Sequence, residues 1–96
     1  MVRNVVMVRL KPGHDPARVA EIQDGFRSLN FPGTLSYTIG NDLGLREGTW
    51  SFAIVADFTD ADAYQGYDRD TRHNELRAGL APQAEQIARV QFELPG

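Results

Sequence analysis

Cysteine is absent from the sequence, which excludes disulfides, thiolate nucleophiles and cysteine-ligated zinc or iron–sulfur sites. Histidine is scarce: only His14 and His73 occur, which argues against an all-protein metal cage. Long apolar runs are missing too. The longest, Val5–Val8 and Phe52–Ala56, fall far short of the roughly 20 residues of a membrane helix. The opening MVRNVVMVRLKPG has neither the apolar core nor the small-residue cleavage site of a secretory signal. Basic charge is in deficit, with a formal net charge of −3, so nucleic acid is not an expected partner. No P-loop or dinucleotide fingerprint occurs, because glycines 40, 44 and 48 suit a loop between antiparallel strands. Neither cofactor nor metal is expected, and no membrane. The expected location is the cytoplasm.

What is present is a single domain of 96 residues with an ordinary 42% of apolar residues. Val2–Leu10 reads as a strand, with Val2, Asn4, Val6, Val8 and Leu10 on one face and Arg3, Val5, Met7 and Arg9 on the other. Asp15-Pro16 is a helix start, and Val19, Ile22, Phe26 and Leu29 repeat at helical spacing. After Pro32-Gly33, Leu35, Tyr37 and Ile39 alternate with polar residues in a second strand. In a third, Trp50, Phe52, Ile54, Ala56 and Phe58 share a face. Asp60 caps a short helix over 61–68, and a further helix covers about 71–81. Ala88, Val90, Phe92 and Leu94 alternate with Arg89, Gln91 and Glu93 in a last strand. The order is β-α-β-β-α-β with the second helix in two pieces. It predicts an α+β, ferredoxin-like fold with a four-stranded antiparallel sheet covered by helices on one side. Val5, Met7, Ala53 and Val55 make the other side too apolar for water, so a second copy of the chain is expected to cover it.

Several segments together carry a family resemblance: the first strand ending in LKPG, the PG before the second, TWSFAIVADF, AYQGYDRDTRHNEL and the closing RVQFEL. They resemble the stress-responsive dimeric α/β-barrel (Dabb) family over Val2–Leu94. The resemblance implies a homodimer whose sheets pack into an α/β barrel. The fold hosts several activities, so function has to be argued from the site. One enzymatic branch consists of polyketide cyclases related to olivetolic acid cyclase, which close rings by cofactor-free aldol chemistry. That branch carries a motif like Tyr-x-x-His-Pro-x-His, which implies catalytic roles for Tyr67 and His73. Asp70 stands at the first histidine of the motif, Thr71 at the proline, and Asn4 at a first-strand histidine of the branch.

His73 near a helix start feels the positive end of the dipole, which favours the neutral base, whereas a nearby Asp70 favours imidazolium. The sequence leaves that balance open. A half-buried His73 bonded to a backbone carbonyl is the plain structural alternative to catalysis. Tyr67 can donate to a developing enolate or simply pack with its hydroxyl in water. Asn4, on an apolar face, is either solvated near the strand end or partnered by ligand or water. Trp50 and Phe26 are candidate walls for a small aromatic or polyketide-like ligand, with Asp70 beside them, although aromatics at strand spacing are more often core. Arg69, Arg72 and Arg77 can attract an anionic ligand tail, although a charged helix surface is the plainer reading. A break near Asp70–Thr71 is expected to turn both Tyr67 and His73 into one cavity, since six residues on a straight helix would place them on opposite sides. The leading reading is a cofactor-independent cyclase-like or lyase-like catalyst. Its alternatives are a non-catalytic stress-response or ligand-binding dimer, and a cofactor-free monooxygenase or isomerase.

Overall fold

The computed structural model describes residues 1–95. Its elements are β1 (Val2–Leu10), α1 (Pro16–Arg27), β2 (Thr34–Asn41), β3 (Phe52–Phe58), α2 (Ala61–Arg69), α3 (Thr71–Leu80), one turn of 3₁₀ helix (Ala81–Gln83) and β4 (Ala84–Glu93). The sheet order is β2-β3-β1-β4, and every neighbouring pair is antiparallel. Among the described residues no helix is long and apolar enough to cross a membrane.

Local chemistry explains the boundaries. Asp15 Oδ1 accepts the N–H groups of Ala17 and Arg18 at 3.1 and 3.2 Å, capping α1 beside a proline already fixed at helical φ. Asp60 does the same for α2 through the Ala63 N–H at 2.8 Å. Between α1 and β2 the chain turns at Gly33, whose φ is 89°. A Cβ there would lie 2.7 Å from that of Ala63, so both the backbone angle and the close approach of α2 demand glycine.

The register sorts side chains into cross-strand rows. On the helix side run Tyr37–Ala56–Asn4–Gln91, Ile39–Ile54–Val6–Arg89 and, beyond them, Phe52–Val8–Ile87. The core lies between these rows and the helices, where Val8, Ile22, Phe26 and Phe58 are the most deeply buried large side chains. On the bare side run Ser36–Asp57–Arg3–Phe92, Thr38–Val55–Val5–Val90 and Gly40–Ala53–Met7–Ala88. Arg3 grips Asp57 through Nε and Nη2 at 2.8 and 3.0 Å, and Ser36 Oγ donates to the same carboxylate at 3.2 Å. These hydrogen bonds, the Arg3 pair first, hold the Asp57 carboxyl below the usual carboxylate range.

Three details depart from the alternation of the sequence. β3 begins at Phe52, not Thr49, so Trp50 lies outside the strand. A register shift between Thr34 and Ser36 takes Leu35 out of the inward stripe and leaves it exposed. β4 starts earlier, at Ala84, and turns its apolar residues Ala88, Val90 and Phe92 to the bare side, so that Arg89 and Gln91 fall in the helix-side rows. On the bare side Met7, Val90 and Phe92 are all exposed in the single chain.

Candidate functional site

The site begins with a helix break. Asp70 has extended backbone angles (φ −60°, ψ 133°), ends α2 and starts α3. Its Oδ2 accepts the His73 N–H at 3.0 Å, an N-cap bond that stabilises the first turn of α3. The change of axis brings Tyr67, the last inward residue of α2, against His73, the first of α3, with ring centroids 4.1 Å apart. Phe26 of α1 closes the other side of the imidazole at 5.9 Å.

Around these rings is a small cavity of about 30 Å³, room for two waters. Asn4, Val6 and Ile54 form its floor on the sheet, with Ile87 and the exposed Arg89 at its edge; Phe26, Tyr64, Tyr67, Asp68, His73, Arg77 and Leu80 come from the helices. The expected meeting of Tyr67, His73, Asn4 and Phe26 in one cavity is therefore what the structure places there. Asp70 and Trp50 stand apart. The Asp70 carboxylate is spent on the helix cap and does not line the cavity. Trp50 lies over the bare side of the sheet in a separate groove with Met7, Asn41 and Ala53, its ring 5.1 Å from the Arg9 guanidinium. Neither faces His73.

His73 is 5% exposed, and its Nδ1 is a buried polar atom without a hydrogen-bond partner among the described residues. Burial pushes the imidazole below the ordinary histidine range, and the Arg77 cation pushes it further. The Asp68 backbone and the carboxylates of Asp68 and Asp70 pull the other way without winning. The balance left open by the sequence thus settles on the neutral ring, with burial rather than the helix terminus as the first cause. Tyr67 is buried, and its hydroxyl shares a 2.7 Å hydrogen bond with that of Tyr37. Burial first, and Tyr37 second, raise the Tyr67 hydroxyl far above the ordinary tyrosine range, so it is a proton holder and hydrogen-bond donor, never a base near neutrality.

Asn4 is buried rather than solvated, and its Oδ1 accepts from Gln91 Nε2 at 2.8 Å. Arg77 Nη1 pairs with Asp68 Oδ1 at 2.9 Å beside the cavity. Gln91, Arg89 and Asp68 are participants that no residue pattern marked, whereas Tyr37, an aromatic at strand spacing, was a candidate cavity wall. Arg77 had a legible signal, since it follows His73 by one helical turn and so shares its face. Among the described residues no three histidine, aspartate or glutamate side chains cluster as metal ligands.

Comparisons with known proteins agree with this architecture. A dimeric ferredoxin-like protein of unknown function from Thermobifida fusca is 29% identical, superposes with a TM-score of 0.90, and the match covers 97% of this chain and 90% of that one. A hydroxynitrile lyase from Passiflora edulis is 19% identical with a TM-score of 0.85, over 98% of this chain and 93% of that one. A Dabb family protein with a ferredoxin-like fold from Mesorhizobium loti is 17% identical with a TM-score of 0.75, over 99% and 97% of the two chains. None of the curated proteins matches the sequence. Residues 2–94 match the stress responsive A/B barrel domain, and the chain belongs to that family, Dabb.

Proposed function

We propose that the cavity takes a small carbonyl compound and that the chain is a cofactor-independent, proton-transferring catalyst of the cyclase or lyase kind. The observation that carries this reading is the partnerless Nδ1 of a buried, neutral imidazole lining a cavity. A buried polar atom left unbonded costs stability, which is a reason to look for a role. With Nδ1 unbonded, the tautomer that carries its proton on Nε2 leaves Nδ1 as the lone-pair acceptor.

In this reading Nδ1 takes a proton from carbon next to a carbonyl. The C–H electron pair becomes the C=C bond of an enolate, and the carbonyl oxygen gains negative charge. Tyr67 O–H donates to that oxygen while accepting from Tyr37 O–H, so the hydroxyl pair acts as a relay of dipoles. The enolate carbon attacks a second carbonyl, forming C–C, and the imidazolium returns its proton to the new alkoxide. The Passiflora hydroxynitrile lyase, similar in fold, supports lyase chemistry as a neighbouring possibility of the same scaffold.

The bare sheet side supports a homodimer, and the Thermobifida relative is itself described as dimeric. The row Val55–Val5–Val90 would lie at the centre of the contact, flanked by Ala53 and Met7. One observation favours a second reading, a ligand-binding dimer without turnover: the inner cavity admits only about two waters, so a polyketide-sized chain does not fit in it without α3 parting from β4. Turnover of a poly-β-keto thioester, with chelator present, separates the two. His73→Ala is expected to lose about 10²–10⁴-fold and Tyr67→Phe less, because water can replace one donor. Equal rates in wild type and His73→Ala reject the base. No rate above the spontaneous one favours the binding protein.

A further inference from the structure

The cavity mouth carries a charge that proton transfer at His73 does not use. Outward of the cavity, between α3 and β4, lies a depression of about 500 Å³ lined by Asn74, Arg77, Ala78, Ala81, Ile87 and Arg89. Arg77, Ile87 and Arg89 line both spaces and so form the threshold between them. Arg77 is neutralised by Asp68 at 2.9 Å. Arg89 has no carboxylate within salt-bridge distance among the described residues. Its position is set by the ladder: it stands opposite Val6 on the helix side of the sheet, exposed at the cavity edge, and not on the bare side. Among the described residues the threshold therefore presents an exposed guanidinium with no direct carboxylate partner, on a chain of net charge −3. The rest of the inner lining is apolar, neutral or internally paired, with Asn4 already bonded to Gln91.

We infer that the ligand of this cavity is a carboxylate-bearing carbonyl compound, its carboxylate held at the threshold by Arg89 with Arg77 beside it and its uncharged keto end directed at His73. The inference rests on the reading of the cavity as a ligand site and adds the charge and orientation of what enters. A guanidinium fork matches a carboxylate in two parallel hydrogen bonds, and Arg77 can share one while keeping Asp68. A cation at the mouth also draws an anion into the cleft of an otherwise acidic protein.

The test uses levulinate and its neutral methyl ester as probes, followed by the ring resonances of His73 in NMR titrations of the full chain. Levulinate is expected to shift His73 and to bind about tenfold more tightly than the ester, the worth of one charge-assisted contact at a partly exposed site. Arg89→Gln removes that difference, Arg89→Lys keeps part of it, added salt weakens it, and Arg72→Gln, outside the cavity lining, leaves it intact. Equal binding of the two probes in wild type, both still shifting His73, overturns the anionic ligand and spares the cavity. No shift of His73 by either probe overturns both. An inward charge on an edge strand can serve only to block edge pairing. Arg89→Gln that aggregates while binding levulinate as before assigns it that role and overturns the inference.

Discussion

The burial of His73 ties stability to pH in a calculable way. The native ring resists a proton that the unfolded chain accepts near pH 6.5, because burial and Arg77 both disfavour imidazolium. Stability from this group is therefore fully present above pH 6.5. It declines as pH falls below that value and levels off once the native ring itself titrates. The steepest slope a single proton can give is about 1.36 kcal/mol per pH unit. For a domain of this size each kcal/mol moves Tm by about 4–8 °C. The perturbation is His73→Gln, which keeps a polar side chain and removes the titration. Thermal unfolding of both proteins at fixed protein concentration from pH 7.5 to 5 isolates the term as a difference. Asp57, whose carboxyl is held low by Arg3, loses its contribution in a more acidic window, below the unfolded carboxylate value near 3.9, and does not interfere. Wild type is expected to lose Tm relative to His73→Gln as pH falls through this range. A flat difference, or one in which wild type gains, refutes the burial argument and with it the neutral base.

Val5→Asp, at the middle of the bare side, is expected to turn a dimer into a monomer by light scattering at micromolar concentration, since juxtaposed like charges cost several kcal/mol. A wild-type monomer mass under the same conditions removes the sheet-to-sheet contact. Tyr37→Phe strands the buried Tyr67 hydroxyl and should cost about 1–3 kcal/mol, Tyr67→Phe strands that of half-buried Tyr37 and should cost less, and the double variant costs less than their sum. Additive losses in denaturant titrations would mean that the 2.7 Å bond contributes no coupling.

Much of this fold can be read from residue order, and the reasons differ by element. β1 is legible from its valine-rich run closed by Pro12-Gly13, and α1 from a single apolar stripe with Asp15-Pro16 marking its start. Tyr67 and His73 could be paired because Asp70, a strong capping residue, falls between two short helical stretches. β4 is harder. It has an apolar stripe, but Ala88, Val90 and Phe92 belong to the side without helices, so the rule that apolar residues face the core points the wrong way. Arg89 and Gln91 were hidden by that rule. Trp50 was misplaced because alternation ran past the true strand start. The segment is tied instead through the Ser51 N–H to the Val8 carbonyl at 2.8 Å and the Ser51 hydroxyl to the Leu10 N–H at 2.9 Å.

The single bond from Asp70 to the His73 amide sets more than a helix end. Capping defines a frame: whichever residue caps, the side chain three places later leaves the helix at one fixed angle. His73 faces Tyr67 because it is third in that frame, and each step of the frame turns a side chain by about 100°. Replacing Asp70 by Ala would remove the bond that fixes this start and let the first turn of α3, which carries His73, fray. The linking residue thus works as a phase reference, the point from which the cavity-facing positions of α3 are counted.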